Sequence, residues 1–205
     1  MVADQAVAMP RLQSIRRSAA QARILAAALD LFAEHGVSGT SLQMIADAMG
    51  VTKAAVYHQF KTKNEIVLAV AETEFAKLEA ALEAAEAQPS RARAREMLLA
   101  RVIDTAVSRR RWVRALQNDP VMVRLLAEHL PLQHVMERIY GLLLGTASAE
   151  SRVRIAVMGA TIGATVVHPL VADLDDETLR RELMHVARRL FDITDSAGDS
   201  AGPSR

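Results

Sequence analysis

The chain has 205 residues and a formal net charge of +1, and 51% of its residues are apolar while only 3% are aromatic. It contains no cysteine, which excludes disulfides, thiolate zinc sites and a cysteine nucleophile. Its N-terminus lacks the charged lead and long apolar core of a secretory signal, so we expect a cytoplasmic protein. The abundant Ala, Leu, Arg and Glu are good helix formers, and they predict an all-α fold.

Residues 1–17 are predicted to form a flexible basic arm, because they have no steady apolar period and carry Arg11, Arg16 and Arg17. Such an arm can follow a DNA backbone or enter a minor groove, but a solvated tail has the same composition. Residues 1–63 contain seven Lys and Arg against four Asp and Glu. This excess of three positive charges is modest, and it supports contact with phosphate without establishing it.

The first helix is predicted from about Ser18 to His35, with Gly36 ending it in the manner of a C-terminal glycine. Apolar residues recur along it at the i, i+3, i+4, i+7 spacing of one buried helical face. The members of this stripe are Leu25, Ala28, Leu29 and Phe32.

Residues 40–63 are predicted to form two short helices joined at Gly50. Thr40 and Gln43 have the spacing of a capping box at the start of the first helix. Thr52 caps the second helix. A turn of this length containing glycine is the geometry of a helix-turn-helix, which presents its second helix to the major groove of DNA. The apolar face of the pair needs the first helix to complete a core, so residues 18–63 are predicted to form one DNA-binding domain.

A long helix is predicted from Lys63 to about Ala87, followed by further helices separated at proline and asparagine residues. One stretch runs from Ser90 to Asn118, a short helix covers about residues 120–129, and another continues to about Gly145. The triplet at residues 109–111, three consecutive arginines, indicates a solvated face or a local kink.

Residues 155–172 carry no charged side chain, but polar residues dilute them and their length is marginal for a membrane span. The small residues predict close helix packing instead. The final helix begins after Asp175, and the two last helices carry more apolar surface than a monomer can hide. We predict that they form a four-helix bundle with a second subunit, and that residues 195–205 are disordered. The predicted interface residues are Gly159, Gly163, Leu179, Leu183, Val186 and Leu190.

Residues 21–70 resemble the tetracycline-repressor (TetR) family of transcriptional regulators. The resemblance lies in an Ala/Leu-rich helix ending in Phe-Ala-Glu-His-Gly, then Gly-Thr-Ser, then Ile-Ala-Asp-Ala-Met-Gly-Val-Thr-Lys-Ala-Ala-Val-Tyr-His-Gln-Phe-Lys-Thr-Lys. It implies about nine helices, with a ligand-binding and dimerisation domain over residues 64–194. It also implies a homodimer that binds a palindromic double-stranded DNA operator, and a small, largely apolar effector that releases it. Activation instead of repression stays open.

The resemblance assigns roles to individual residues of the helix-turn-helix. Lys53 can donate to guanine, while Ala54 and Ala55 offer methyl contact to thymine where many relatives have a glycine near position 54. Thr40 and Thr52 can also act as caps alone, and Tyr57 can pack mainly on Phe60. Base contacts are implied for Gln43, Lys53, Ala54 and Tyr57, and phosphate contacts for Thr40, Ser41, Thr52, Tyr57, His58, Gln59 and Lys63.

The resemblance further implies an effector pocket among the central helices, with movement carried to the DNA-binding domain by the helix that starts at Lys63. Apolar residues there can equally be simple core. No cofactor and no metal site are expected. An enzyme is disfavoured because the sequence has no GxSxG elbow, Gly-rich phosphate loop or HExxH motif. A membrane-associated or structural helical protein, which would need detergent, is the second rival. The predicted pocket residues are Met97, Trp112, Met122, His134, Met136, Tyr140 and His168.

Overall fold

A computed structural model describes residues 11–12, 15–145 and 148–193, with only the backbone described at 115–118, 121–122 and 126. Within these residues the chain forms ten α-helices and a short 3₁₀ helix, and no strand is present. The all-α prediction is confirmed. Most of the predicted arm and all of the predicted tail, residues 195–205, lie outside the described residues.

The helices follow one another with short connections. Their bounds are α1 Ala19–Gly39, α2 Leu42–Met49, α3 Lys53–Gln59, α4 Lys63–Glu86, α5 Arg91–Ser108, α6 Arg110–Asn118, α7 Pro120–Glu128, α8 Leu130–Leu144, α9 Ala149–Val166, the 3₁₀ helix Pro169–Val171, and α10 Asp176–Phe191.

Helices α1, α2 and α3 pack on one another and form a small N-terminal core. Ser18 caps α1, and a capping box joins it to Gln21. Gly36 has φ 73° and ψ 165°, so the chain leaves the helical conformation there, and the following Val37 is fully buried. This is the glycine-terminated end that the sequence predicts, and it turns the chain sharply into α2.

The predicted capping box at the start of α2 is wrong, because Ser41 and not Thr40 is the N-cap. The Ser41 hydroxyl accepts the Met44 N–H at 3.1 Å. The turn at Gly36 folds Thr40 beneath the end of α1, where its hydroxyl donates to the Gly36 carbonyl at 2.8 Å. The side chain of Gln43 donates to Asp47 Oδ1 at 2.7 Å instead of reaching back to Thr40.

Helix α3 begins as predicted, because Thr52 Oγ1 accepts the Ala55 N–H at 3.2 Å. Gly50, which joins α2 to α3, has φ 65° and ψ 33°, the left-handed conformation that glycine adopts with little cost. The turn between the two helices is therefore set by the residues that the sequence indicates.

The α4 helix leads from the N-terminal core into the remaining helices and packs against α1, α5, α7 and α8. The stretch predicted as one helix after Ser90 is divided at Arg109, which has φ −117° and ψ 24°. This confirms the kink at the arginine triplet and accounts for ten helices where about nine were predicted. Among the described residues, no helix is long and apolar enough to cross a membrane.

Candidate nucleic-acid interface and ligand cavity

The α3 helix buries only Val56 and exposes most of its other side chains. Lys53, Ala54 and Ala55 lie exposed in its first turn, followed by Tyr57 and His58. This helix therefore offers two small methyl side chains, a cation and an aromatic ring on one outer surface.

Tyr57 is 51% exposed, while Phe60 is buried, so the ring is available on the surface. The Lys61 ammonium lies 5.0 Å from the centroid of the Tyr57 ring, within the range of a cation–π contact. Lys61 is not among the DNA contacts predicted from the sequence. Its position four residues after Tyr57 would have allowed that prediction. It adds a positive charge to the outer surface of α3.

The side chains of the remaining predicted DNA contacts differ in their exposure to solvent. Ser41, Gln43 and Thr52 are exposed, while Gln59 is half-buried, with its Nε2 3.3 Å from His58 Nδ1. The Ser41 and Thr52 side-chain oxygens accept the capping hydrogen bonds, which leaves each hydroxyl proton free to be donated elsewhere.

Two of the predicted phosphate contacts have structural partners. Thr40 is 2% exposed and its hydroxyl is engaged within α1, so its predicted phosphate contact is wrong for this conformation. The Lys63 ammonium donates to the carbonyls of Val37 at 2.8 Å and Thr40 at 3.0 Å. It therefore fastens the start of α4 to the end of α1, although an ammonium has a third proton left to donate.

A cavity of about 170 Å³ lies between helices α4, α5, α6, α8 and α9. Of the predicted pocket residues, Trp112, Met136 and Tyr140 line it. Burial raises the pKa of the Tyr140 hydroxyl, which indicates a site with little water. The other lining residues are Glu74, Phe75, Leu78, Val102, Thr105, Ala106, Arg109, Val113, Ile139, Leu143, Met158, Gly159, Ile162 and Gly163.

Three predicted pocket residues lie elsewhere than in the cavity, and a fourth cannot be placed. Met97 packs on the hydrophobic core elsewhere, and His134 is exposed at the surface. His168 caps the 3₁₀ helix, where its Nδ1 accepts the Leu170 N–H at 3.2 Å. The side chain of Met122 lies outside the described residues.

The cavity contains a polar group that the sequence analysis missed, the carboxylate of Glu74. Its side chain is 7% exposed, with Oε1 2.6 Å from Lys77 Nζ and Oε2 3.5 Å from Arg109 Nε. Among the described residues, Glu74 Oε2 and the buried Trp112 Nε1 find no hydrogen-bond partner. A signal was present, because Glu74 stands at helical spacing from Ala71 and Leu78 in the apolar stripe of α4.

Comparison with known proteins places the N-terminal helices in a family. The sequence profile of the bacterial regulatory proteins of the tetR family matches residues 24–70, which span α2, α3 and most of α1. Over these residues the chain is similar to the tetR family. The curated proteins that match this part of the chain are named as transcriptional regulators, which agrees with the prediction that the chain is not an enzyme.

Two relatives and one solved structure illustrate how far the likeness extends. The transcriptional regulator AcrR of Shigella flexneri is 54% identical over 43 residues, which cover 21% of this chain and 20% of AcrR. SrpR of Pseudomonas putida is 45% identical over 60 residues, covering 27% of this chain and 28% of SrpR. The matches thus span less than a third of either relative.

A bacterial regulatory protein of the tetR family from Rhodococcus RHA1 superimposes on this chain with a TM-score of 0.64. The superposition covers 87% of this chain and 100% of that one, at 20% sequence identity. At this identity the likeness shows a shared fold, and it extends that fold to the helices beyond α3.

Of the residues predicted for the dimer interface, three are buried within the protomer and Gly159 is half-buried. Leu179 and Leu183 belong to the face of α10 that packs inward. Gly163 is buried and lines the cavity, and a Cβ added at Gly159 would lie 3.1 Å from the Tyr140 hydroxyl. The small residues of α9 therefore serve packing inside the chain, and assigning them to the interface is wrong.

The outer faces of α9 and α10 carry a different apolar stripe. Val186 and Leu190, both predicted for the interface, are 45% and 54% exposed on α10. Val153 and Val157 are 63% and 48% exposed on the neighbouring α9. These four residues, which we call the outer stripe, are large apolar side chains in contact with solvent.

Proposed function

We propose that this chain is a cytoplasmic, ligand-responsive transcriptional repressor that binds a palindromic operator as a homodimer. Residues 18–63 are its DNA-binding domain and residues 64–194 its ligand-binding and dimerisation domain. The observation that carries the proposal is the outer surface of α3, which presents Lys53, Tyr57 and two alanine methyls to solvent within a tetR-family fold.

In this proposal α3 enters the major groove. Lys53 donates to guanine O6 or N7, and Ala54 and Ala55 contact thymine methyl groups. Gln43 contributes a further base contact after its side chain leaves Asp47. Two alanines supply no hydrogen bonds, so part of the specificity comes from DNA shape. Phosphate contacts come from Ser41, Thr52, Tyr57, His58, Gln59, Lys61 and Lys63.

The outer stripe supports a dimer in which α9 and α10 meet their copies in a four-helix bundle. Burial of apolar surface stabilises an interface by about 25 cal/mol for each Å² removed from water. The outer stripe supplies such surface on two adjacent helices, at Val153, Val157, Val186 and Leu190. A dimer then places two α3 helices on half-sites about one turn of DNA, roughly 34 to 36 Å, apart.

Two connections can transmit occupancy of the cavity to α3. The first is α4, which lines the cavity at Phe75 and Leu78 and begins beside the helix-turn-helix. The second is Asp119, which follows α6 and whose Oδ2 accepts the Ser38 N–H at 2.8 Å in the last turn of α1. A ligand that fits a conformation with α4 and α6 displaced draws the population away from the DNA-bound form.

The substitution Tyr57→Ala tests the proposed reading surface. It should weaken binding to a selected operator roughly ten- to hundred-fold, because it removes a hydrogen bond to a charged phosphate, which contributes about 1.5 to 3 kcal/mol. The measurement is fluorescence anisotropy of labelled operator, with sedimentation to confirm that the dimer is intact. Arg124→Ala, at an exposed arginine on α7, is the control and should leave binding unchanged. Equal affinity in all three proteins would contradict the assignment.

A further inference from the structure

We propose that the effector is a small ammonium ion, a primary or secondary amine on an apolar body about the size of one aromatic ring, with an N–H donated to Glu74. This inference deepens the proposed function and rests on it, since the cavity is taken as the effector site. It names the chemical class of ligand that the polar groups of this cavity select.

Glu74 is the group that sets this class. Its carboxylate is buried among apolar side chains, where an unpaired charge is costly. Lys77 satisfies Oε1, but no group in the described part of the chain makes a hydrogen bond to Oε2. A buried carboxylate oxygen without a donor gains most from a charged N–H, since hydrogen bonds to ionised groups are about twice as strong as neutral ones.

Arg109 occupies the position that the ligand would take. Its Nε is 3.5 Å from Glu74 Oε2, an ion pair without a hydrogen bond between these two atoms, and its side chain is 45% exposed. The guanidinium can therefore turn into solvent and regain full hydration. An ammonium ion replaces it on Glu74 without leaving a buried charge unpaired.

Other ligand charges fit less well. A carboxylate would approach Arg109 but would also meet the buried carboxylate of Glu74, and like charges in a dry site repel strongly. A neutral hydrocarbon would leave Glu74 Oε2 without a donor. The aromatic rings of Phe75, Trp112 and Tyr140, which also line the cavity, favour a cation over an anion.

The volume limits the body of the ligand. An engineered apolar cavity of about 150 Å³ admits benzene, and the cavity here is about 170 Å³. Its walls away from Glu74 and Arg109 are largely apolar, with Leu78, Met136, Ile139 and Leu143 among them. One ring or a short alkyl chain therefore fills the available space.

Replacement of Arg109 by the ligand also suggests how ligand binding at Glu74 can change the position of α6. Arg109 lies at the junction of α5 and α6, whereas Glu74 lies on α4. An amine on Glu74 breaks the ion pair that links α4 to this junction. The α6 helix, which ends beside Asp119 and its contact with Ser38, is then free to shift.

Calorimetry on the full chain tests the class of ligand with three probes of matched size. Phenethylamine should bind, 2-phenylethanol should bind at least tenfold more weakly, and phenylacetate should give no heat of binding. Tighter binding of the acid, equal binding of all three, or no binding of the amine would overturn the proposal.

The variant Glu74→Gln tests the residue. It should lose roughly ten- to hundred-fold in phenethylamine affinity, the range expected for a hydrogen bond to a charged group. Glu79→Gln is the matched control, because Glu79 is a buried acid on the same helix that faces Arg138 at 3.7 Å and does not line the cavity. Equal losses in the two variants would contradict a role specific to Glu74.

A second variant keeps the proposal falsifiable if Glu74→Gln does not fold. Val102→Phe places a larger side chain in the cavity wall and keeps Glu74, so it should abolish amine binding. Undiminished binding to this variant would overturn the site. The calorimetry is carried out without DNA, so the two proposals fail separately. If the wild type binds its operator but not the amine, only the proposed effector class is rejected. If it does not bind DNA, the proposed function is rejected.

Discussion

On α3 the polar side chains lie in solvent, whereas in the cavity between α4 and α6 they are buried. Ser41 and Thr52, at the starts of α2 and α3, are satisfied by backbone groups three residues away. In the cavity Glu74 meets Arg109 from a distant part of the sequence, and Trp112 Nε1 has no hydrogen-bond partner in the part of the chain that the structure describes. The two hydroxyl groups beside the proposed DNA-binding surface thus have hydrogen-bond partners within the protein. The cavity, in contrast, contains polar atoms that are left for a ligand to satisfy.

The largest effect is expected from a substitution in the outer stripe, compared with the same substitution elsewhere on the surface. Val186→Asp should abolish the dimer and lower operator affinity at least roughly a hundredfold, because it places a charge in an apolar interface and leaves each subunit one half-site. The measurements are sedimentation and operator anisotropy. Val123→Asp is the matched control, since this α7 valine is 51% exposed against 45% for Val186. A dimeric Val186→Asp protein would exclude the outer stripe as the interface.

A smaller effect is expected at the contact that joins the two regions. Asp119→Ala removes the carboxylate that accepts the Ser38 N–H and should lower the free energy of unfolding by about 1.5 kcal/mol. It should also reduce the release of operator by any bound effector. Denaturant unfolding measures the first effect, with Asp104→Ala, a half-exposed carboxylate, as the control. An unchanged unfolding midpoint would show that this contact does not stabilise the fold, and unchanged operator release would show that it does not couple the two regions.

The smallest effect concerns the dryness of the cavity. Burial raises the pKa of Tyr140 above its ordinary value of about 10. The folded state therefore keeps a proton that the unfolded state loses, and stability falls as pH rises from about 10 towards the folded pKa. In Tyr57→Phe, Tyr140 is the only tyrosine left, so an ultraviolet absorbance titration reports it alone. A midpoint at or below 10 would mean that water fills the cavity.

The N-terminal helices could be predicted from the sequence because their signals are local. Gly36, Gly50 and Thr52 act within a few residues of themselves, and their roles were predicted correctly. Thr40 was assigned wrongly as a cap because its burial depends on how the turn at Gly36 folds, and two hydroxyl residues in succession have nearly the same local pattern.

The cavity and the interface could be predicted only in part, because both depend on which side of each helix faces inward. Gly159 and Gly163 were placed in a helix–helix contact correctly in kind, but the contact lies inside the protomer. His134 and His168 were selected for their chemistry, while their positions on the outside and at a cap follow from packing. To predict Glu74 as a cavity residue, one would have to know which side of α4 faces the other helices.

The most direct test of the central claim is selection of bound DNA from a random pool, carried out in parallel with the wild-type chain and Lys53→Ala. We expect the wild type to enrich a two-fold symmetric sequence, and we expect one base position in each half-site to become degenerate with the variant, since Lys53 contacts that base. Failure of the wild type to enrich any sequence, or the same sequence enriched equally by both proteins, would contradict the claim that α3 reads DNA.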